Sequence, residues 1–140
     1  MLKASRKVHY ALLVLIHLAE DDKGEVSSAR HIAAAYDLPL PVISNVLKRL
    51  VAEGLVKAAR GAQGGHRLAA APRDIPLLAI VEAIEGCFQF SDCVHVPRGR
   101  GRACLMQRRN CPARATMHRL HERLATMLRE VTLADFLKSR

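Results

Sequence analysis

Tryptophan is missing altogether, and aromatic residues make up only 4% of the chain. A core without large rings must be built from aliphatic side chains and alanine, which suits packed helices better than a sandwich of sheets. A long apolar run is lacking too. The most apolar stretch, residues 11–19, is interrupted by His17 and falls short of the roughly 18–20 residues that a membrane span needs. No membrane partner is expected. The N-terminus lacks a signal-peptide cleavage pattern, which points to the cytoplasm, where cysteines stay reduced and metal or redox chemistry is favoured over structural disulfides. Also absent are a Cys-x-x-Cys pair, a nucleotide-binding loop and a convincing pair of carboxylates, so neither an enzyme nor a small-molecule substrate is expected.

Acidic residues are scarce against 22 Lys/Arg, leaving a net charge of +9 over 140 residues and a pI near 10. The excess is spread over both halves: 11 Lys/Arg against 7 Asp/Glu in residues 1–75, and 11 against 6 in residues 76–140. Such a balance favours a polyanionic partner, nucleic acid above all.

The periodicity predicts a mainly α fold with a small β-hairpin wing: a winged helix-turn-helix followed by a long C-terminal dimerisation helix. Residues 5–20 read as a first helix with Val8, Ala11, Leu12, Leu15 and Ala19 on one face. Ser27 or Ser28 can cap a second helix carrying Ile32, Ala33 and Tyr36. After the turn Leu38-Pro39-Leu40-Pro41, a third helix runs to about Glu53, with Ile43, Val46, Leu47, Leu50 and Val51 as its buried stripe. Its other face shows Val42, Ser44, Asn45, Lys48 and Arg49. Residues 55–59 and 66–69 read as strands joined by a tip with three glycines in six residues. Asp74 is expected to cap a fourth helix that Gly86 closes. Residues 87–111 form an aperiodic loop, and residues 112–130 a long helix with Met117, Leu120, Leu124, Met127 and Leu128 as a dimerisation stripe. Thr132 and Asp135 resemble a capping box for a short last helix. The DNA-binding region is expected to span residues 1–72, and the linker helix, cysteine loop and dimerisation helix residues 73–140.

In a helix-turn-helix, the third helix would enter the major groove of double-stranded DNA. Ser44 and Asn45 can then bond base edges and Val42 can touch a thymine methyl, while Lys48, Arg30 and Arg60 hold phosphates. Arg67 and His66 are placed by the wing to reach the minor groove. A homodimer would match the two-fold symmetry of a palindromic operator.

Three cysteines, Cys93, Cys104 and Cys111, lie in a loop that also holds arginines 98, 100, 102, 108 and 109. A thiol cluster on a DNA-binding chain suggests a sensor. Zinc is one option, although the long gaps lack a Cys-x2-Cys knuckle. A metal-free thiol switch is another, and incidental cysteines on a constitutive repressor a third.

The chain resembles the bacterial winged-helix regulators that include IscR, NsrR and RirA, many of which carry iron–sulfur clusters. The resemblance runs along essentially the whole chain. It is carried by Tyr10-Ala11-Leu12, by Val46-Leu47-Lys48-Arg49-Leu50 through Gly54-Leu55-Val56, and by Arg60-Gly61 with Gly64-Gly65-His66-Arg67-Leu68. It continues through Ile80-Val81-Glu82-Ala83-Ile84-Glu85-Gly86, Asp92-Cys93 and Cys111-Pro112. The turn at 38–41 and the ending Thr132-Leu133-Ala134-Asp135 look like the branch that regulates Suf-type cluster assembly. The resemblance implies transcriptional regulation through a 2Fe–2S or 4Fe–4S cluster held by Cys93, Cys104 and Cys111, sensing iron, redox or nitric oxide status. Thiolates are soft donors suited to such clusters. The gaps of ten and six residues between these cysteines depart from the family's tighter loop. The fourth ligand would be His9, at a first-helix position where related regulators place an acidic ligand, in some of them from the partner subunit; Cys87 is the alternative, and His95 or no protein ligand a further option.

Overall fold

A computed structural model describes residues 4–20, 26–91, 94 and 111–138. The expected turn at residues 21–24, together with Cys93, His95, Cys104 and the five loop arginines, lies outside the described residues. The elements run α1 (Arg6–Glu20), α2 (Ala29–Ala35), α3 (Leu40–Ala52), β1 (Val56–Ala59), β2 (Gly65–Leu68), α4 (Leu77–Glu85), α5 (Arg114–Glu130) and α6 (Leu133–Lys138).

Helix α1 buries Val8, Ala11, Val14, Leu15 and Leu18. The expected stripe included Leu12 and Ala19, which are only half-buried and sit at the margin of the core. The apolar face is wider than one stripe because α3, α4, β2 and α6 all pack on this helix. Of the two serines ahead of α2, Ser28 is the cap: its side chain accepts from the His31 backbone N–H at 3.1 Å. Helix α3 follows from Pro39, with Pro41 in its first turn, where a missing N–H costs nothing. It ends in a Schellman motif, in which Leu55 N–H donates to the Leu50 carbonyl (2.9 Å) and Gly54 N–H to that of Val51 (3.1 Å). The motif needs a left-handed residue, and Gly54 takes φ 74°.

The wing is an antiparallel pair with Val56 opposite Leu68, Lys57 opposite Arg67, Ala58 opposite His66 and Ala59 opposite Gly65. Ser27 adds an isolated third-strand bridge, exchanging backbone hydrogen bonds with His66 at 3.0 and 2.8 Å. A Cβ on Gly65 would lie 2.8 Å from the Ser27 carbonyl oxygen, so this approach requires glycine. The root of the wing is thereby fastened to the chain that starts α2, a tie no local pattern announces.

The start of α4 corrects the sequence expectation. Asp74 does not cap it; the residue closes a 3-10 turn, Pro72–Asp74, and the N-cap is Pro76 without a side-chain bond. The C-terminal segment organises this junction instead. Leu77 N–H donates to the Val131 carbonyl (2.8 Å), and Leu133 N–H to that of Ile75 (2.9 Å). Six residues are too few for an independent helix. Leu133, fully buried, holds α6 in place with roughly 1.5–3 kcal/mol of transfer free energy. The Thr132 backbone N–H and hydroxyl both donate to Asp135 Oδ2, at 2.8 and 3.1 Å, which supplies the expected cap. These two donors also hold the Asp135 carboxyl below the ordinary carboxylate range. One core cluster runs from Val8 through Ile32, Leu47 and Ile80 to Leu133.

Candidate nucleic-acid interface and cysteine site

Because Ile43, Val46, Leu47 and Leu50 face the core, helical geometry turns the rest of α3 outwards. Asn45 and Lys48 are exposed, and Val42 and Ser44 half-buried. Arg30, in the first turn of α2, is exposed, as are Arg60 and Arg67 on the wing. His66 is half-buried, and its Nδ1 has no hydrogen-bond partner among the described residues.

Two further cations bear on the interface. Lys57, which the sequence reading passed over, is exposed and sits directly across the ladder from Arg67. Like charges placed so are mutually destabilising, and a polyanion laid across them would offset the repulsion. Strand alternation was the available signal: with Val56 and Leu68 turned inward, Lys57 and Arg67 must share the outer face. Arg49 is exposed beside Lys48, as expected, and also donates from Nη1 to the Ile84 carbonyl at 2.6 Å.

The cysteine site is partly described. Cys87 is exposed just beyond α4, where Gly86 takes φ 88°. Cys111 is half-buried, and its carbonyl accepts from Arg114 N–H at 3.2 Å, so it stands at the entrance to α5, where the helix dipole favours negative charge. His9 is exposed and lines a groove of about 440 Å³ whose described walls are Ala4, Ser5, Arg6, Val8, Tyr10 and Leu12. Ser5, one turn before His9, donates its backbone N–H to Glu85 Oε1 at 3.1 Å. The end of α1 carrying His9 is thus held beside the end of α4 from which the cysteine segment departs. Among the described residues no three His, Cys, Asp or Glu side chains gather as a metal site, and Cys93 and Cys104 lie outside them.

The histidines on α5 are partly covered. His118 and His121 are half-buried, and the His121 ring stacks on Phe88 with centroids 5.4 Å apart and planes 17° from parallel. Its Nδ1 is buried and has no hydrogen-bond partner among the described residues. The stack fastens the first residues of the cysteine segment to α5. His17, which carried no sequence signal, lies 5.4 Å from the His31 ring and 5.8 Å from that of Tyr36, with Nε2 3.4 Å from Ser27 Oγ.

Helix α5 buries one residue, Ala125. Leu120 remains 39% and Met127 52% exposed, with Met117, Leu124 and Leu128 half-buried beside them. Met117, Leu120, Leu124 and Met127 repeat at three and four residues, the spacing of a two-helix seam. No helix among the described residues is long and apolar enough to cross a membrane.

Comparison with known proteins agrees with this architecture. Residues 4–139 match the Rrf2 family model, described as iron-dependent transcriptional regulators. The regulator NsrR of Geobacillus kaustophilus is 31% identical over 131 residues, covering 94% of this chain and 86% of its own. The solved structure of CymR, described as the global cysteine regulator of B. subtilis, superposes with a TM-score of 0.75 at 28% identity, over 100% of this chain and 99% of that one. IscR of T. potens superposes with a TM-score of 0.71 at 30% identity, over 99% and 88%. The hairpin after α3 is therefore the wing of a winged helix, and the protein a DNA-binding regulator rather than an enzyme. The chain belongs to the Rrf2 family of iron-dependent transcriptional regulators.

Proposed function

We propose that the chain acts as a cytoplasmic homodimer on a palindromic operator, and that the state of its cysteine segment sets its affinity for DNA. The DNA-reading residues are Val42, Ser44 and Asn45 on α3. Lys48, Arg30 and Arg60 hold phosphates, and Arg67 and His66 extend along the minor groove. The seam of Met117, Leu120, Leu124, Met127 and Leu128 joins two copies.

Cys93, Cys104 and Cys111 are the ligands for an iron–sulfur cluster, with His9 the fourth and Cys87 the alternative. The donor set suits the group: three thiolates are soft ligands for iron, and an imidazole is a known substitute for a fourth thiolate. The observation that carries this reading is the Ser5–Glu85 bond, which holds the His9 end of α1 against the root of the cysteine segment. Cys111 then fixes the far end of that segment at the entrance to α5. When bound, the cluster supplies a centre sensitive to iron supply, oxygen species and nitric oxide. The chain's own part is to bring α1, α4 and α5 to one place, so that the cluster-bound and cluster-free states hold the recognition helices differently.

An anaerobic absorption spectrum with iron and sulfide assays tests the reading. Visible bands with stoichiometric iron and sulfide are expected, and are expected to disappear in Cys93→Ala. A colourless protein that resists reconstitution would favour the metal-free reading, in which Cys87, exposed, and Cys111 act as redox thiols. The likeness to a cysteine regulator is the observation that favours that second reading.

A further inference from the structure

We propose that Arg49 is the positioning residue that transmits the state of the cysteine segment to the recognition helix. The inference rests on the reading that this segment is the sensor. Arg49 lies in the last turn of α3, one residue after the phosphate-holding Lys48, yet its Nη1 donates to the Ile84 carbonyl at 2.6 Å. Ile84 is in the last turn of α4, where carbonyls lack intrahelical partners and the helix dipole is negative. A guanidinium there makes a short, charge-assisted bond.

The same turn of α4 makes two further connections. Glu82 Oε1 accepts from the backbone N–H of Phe88, the residue after Cys87, at 3.2 Å. Glu85 Oε1 accepts from Ser5 N–H at the start of the helix that carries His9. Phe88 in turn is stacked on His121 of α5. A single helical turn therefore touches the recognition helix, the His9 helix and the first residues of the cysteine segment. Ala83 and Ile84 share the core with Val46, Leu47 and Leu50, so a shift of this turn is passed to α3 through packed side chains. Arg49 makes that contact directional: it fastens the last turn of the recognition helix to the helix end from which the segment departs.

The test is operator affinity of full-length wild type, Arg49→Met and Arg49→Lys, each with and without reconstituted cluster. In wild type the two states should differ by a factor within the roughly 5- to 150-fold range typical of coupled sites. In Arg49→Met the ratio should fall to about one, with iron content and the salt dependence of binding unchanged. Arg49→Lys, which keeps a cationic donor, should recover part of the ratio. Independently of any cluster, backbone amides of residues 84–88 should exchange faster in Arg49→Met than in wild type. A full ratio retained in Arg49→Met, or unchanged exchange, would overturn the inference. So would an equal loss of affinity in both states with a salt slope lower by about 0.9, which would make Arg49 a phosphate contact. A wild-type ratio of one would instead overturn the sensor reading, and the inference with it.

Discussion

Lys48 and Lys57 illustrate how little a cation's identity says until its neighbours are known. Both are exposed, on α3 and β1 respectively, and Lys57 faces Arg67 across the wing. Each is expected to neutralise one phosphate. Replacing either by alanine should lower the magnitude of the log–log salt slope of operator binding by about 0.9, while leaving base preference unchanged. An unchanged slope would remove that lysine from the interface. Removing Lys57 should not weaken the free hairpin, because it also relieves the repulsion with Arg67. Arg49 has the same charge and neighbourhood in sequence but is committed to the Ile84 carbonyl. Sequence alone placed it beside Lys48, since periodicity gives the direction of a side chain and not the partner found there.

At the scale of elements, the regular patterns were legible and the long-range ties were not. The stripe Ile43, Val46, Leu47 and Leu50 and the stop at Gly54 defined α3 almost to its ends. The glycine-rich tip defined the wing. What the sequence did not show was Ser27 pairing with His66, or α6 returning to hold the start of α4, because both are backbone contacts between residues far apart in the chain. The covering of His121 was hidden for a related reason: Phe88, which stacks on it, comes from a segment with no periodicity. The α5 stripe was legible as apolar, and the fold leaves Leu120 and Met127 substantially exposed. A second copy would cover them. Leu124→Asp is expected to shift the protein from dimer to monomer in analytical ultracentrifugation while α-helical content stays near that of wild type, since the half-buried Leu124 lies outside the core cluster. A dimer that survives this change would place the subunit interface elsewhere.

For the whole molecule, helices α1 to α4, α6 and the hairpin share one core. Val8 of α1, Leu47 of α3, Ile84 of α4 and Leu133 of α6 belong to one cluster, so a change at one of these helices is felt by the others through packed side chains. The end of α4 is where the His9 helix, the recognition helix and the root of the cysteine segment meet. The family was legible in the wing and in the cysteine-bearing motifs, and the family model covers residues 4–139. The meeting of these elements at the end of α4 was not legible, because two of its three hydrogen bonds come from Ser5 and Arg49, far away in the chain.

Cluster-dependent DNA binding is tested by operator affinity of the same protein preparation with its cluster reconstituted and after its removal by chelation, measured anaerobically at fixed salt. The two affinities are expected to differ by about fivefold or more, and to become equal in Cys93→Ala. Equal affinities in the wild-type protein, with the cluster shown to be present in one sample and absent from the other, would contradict it.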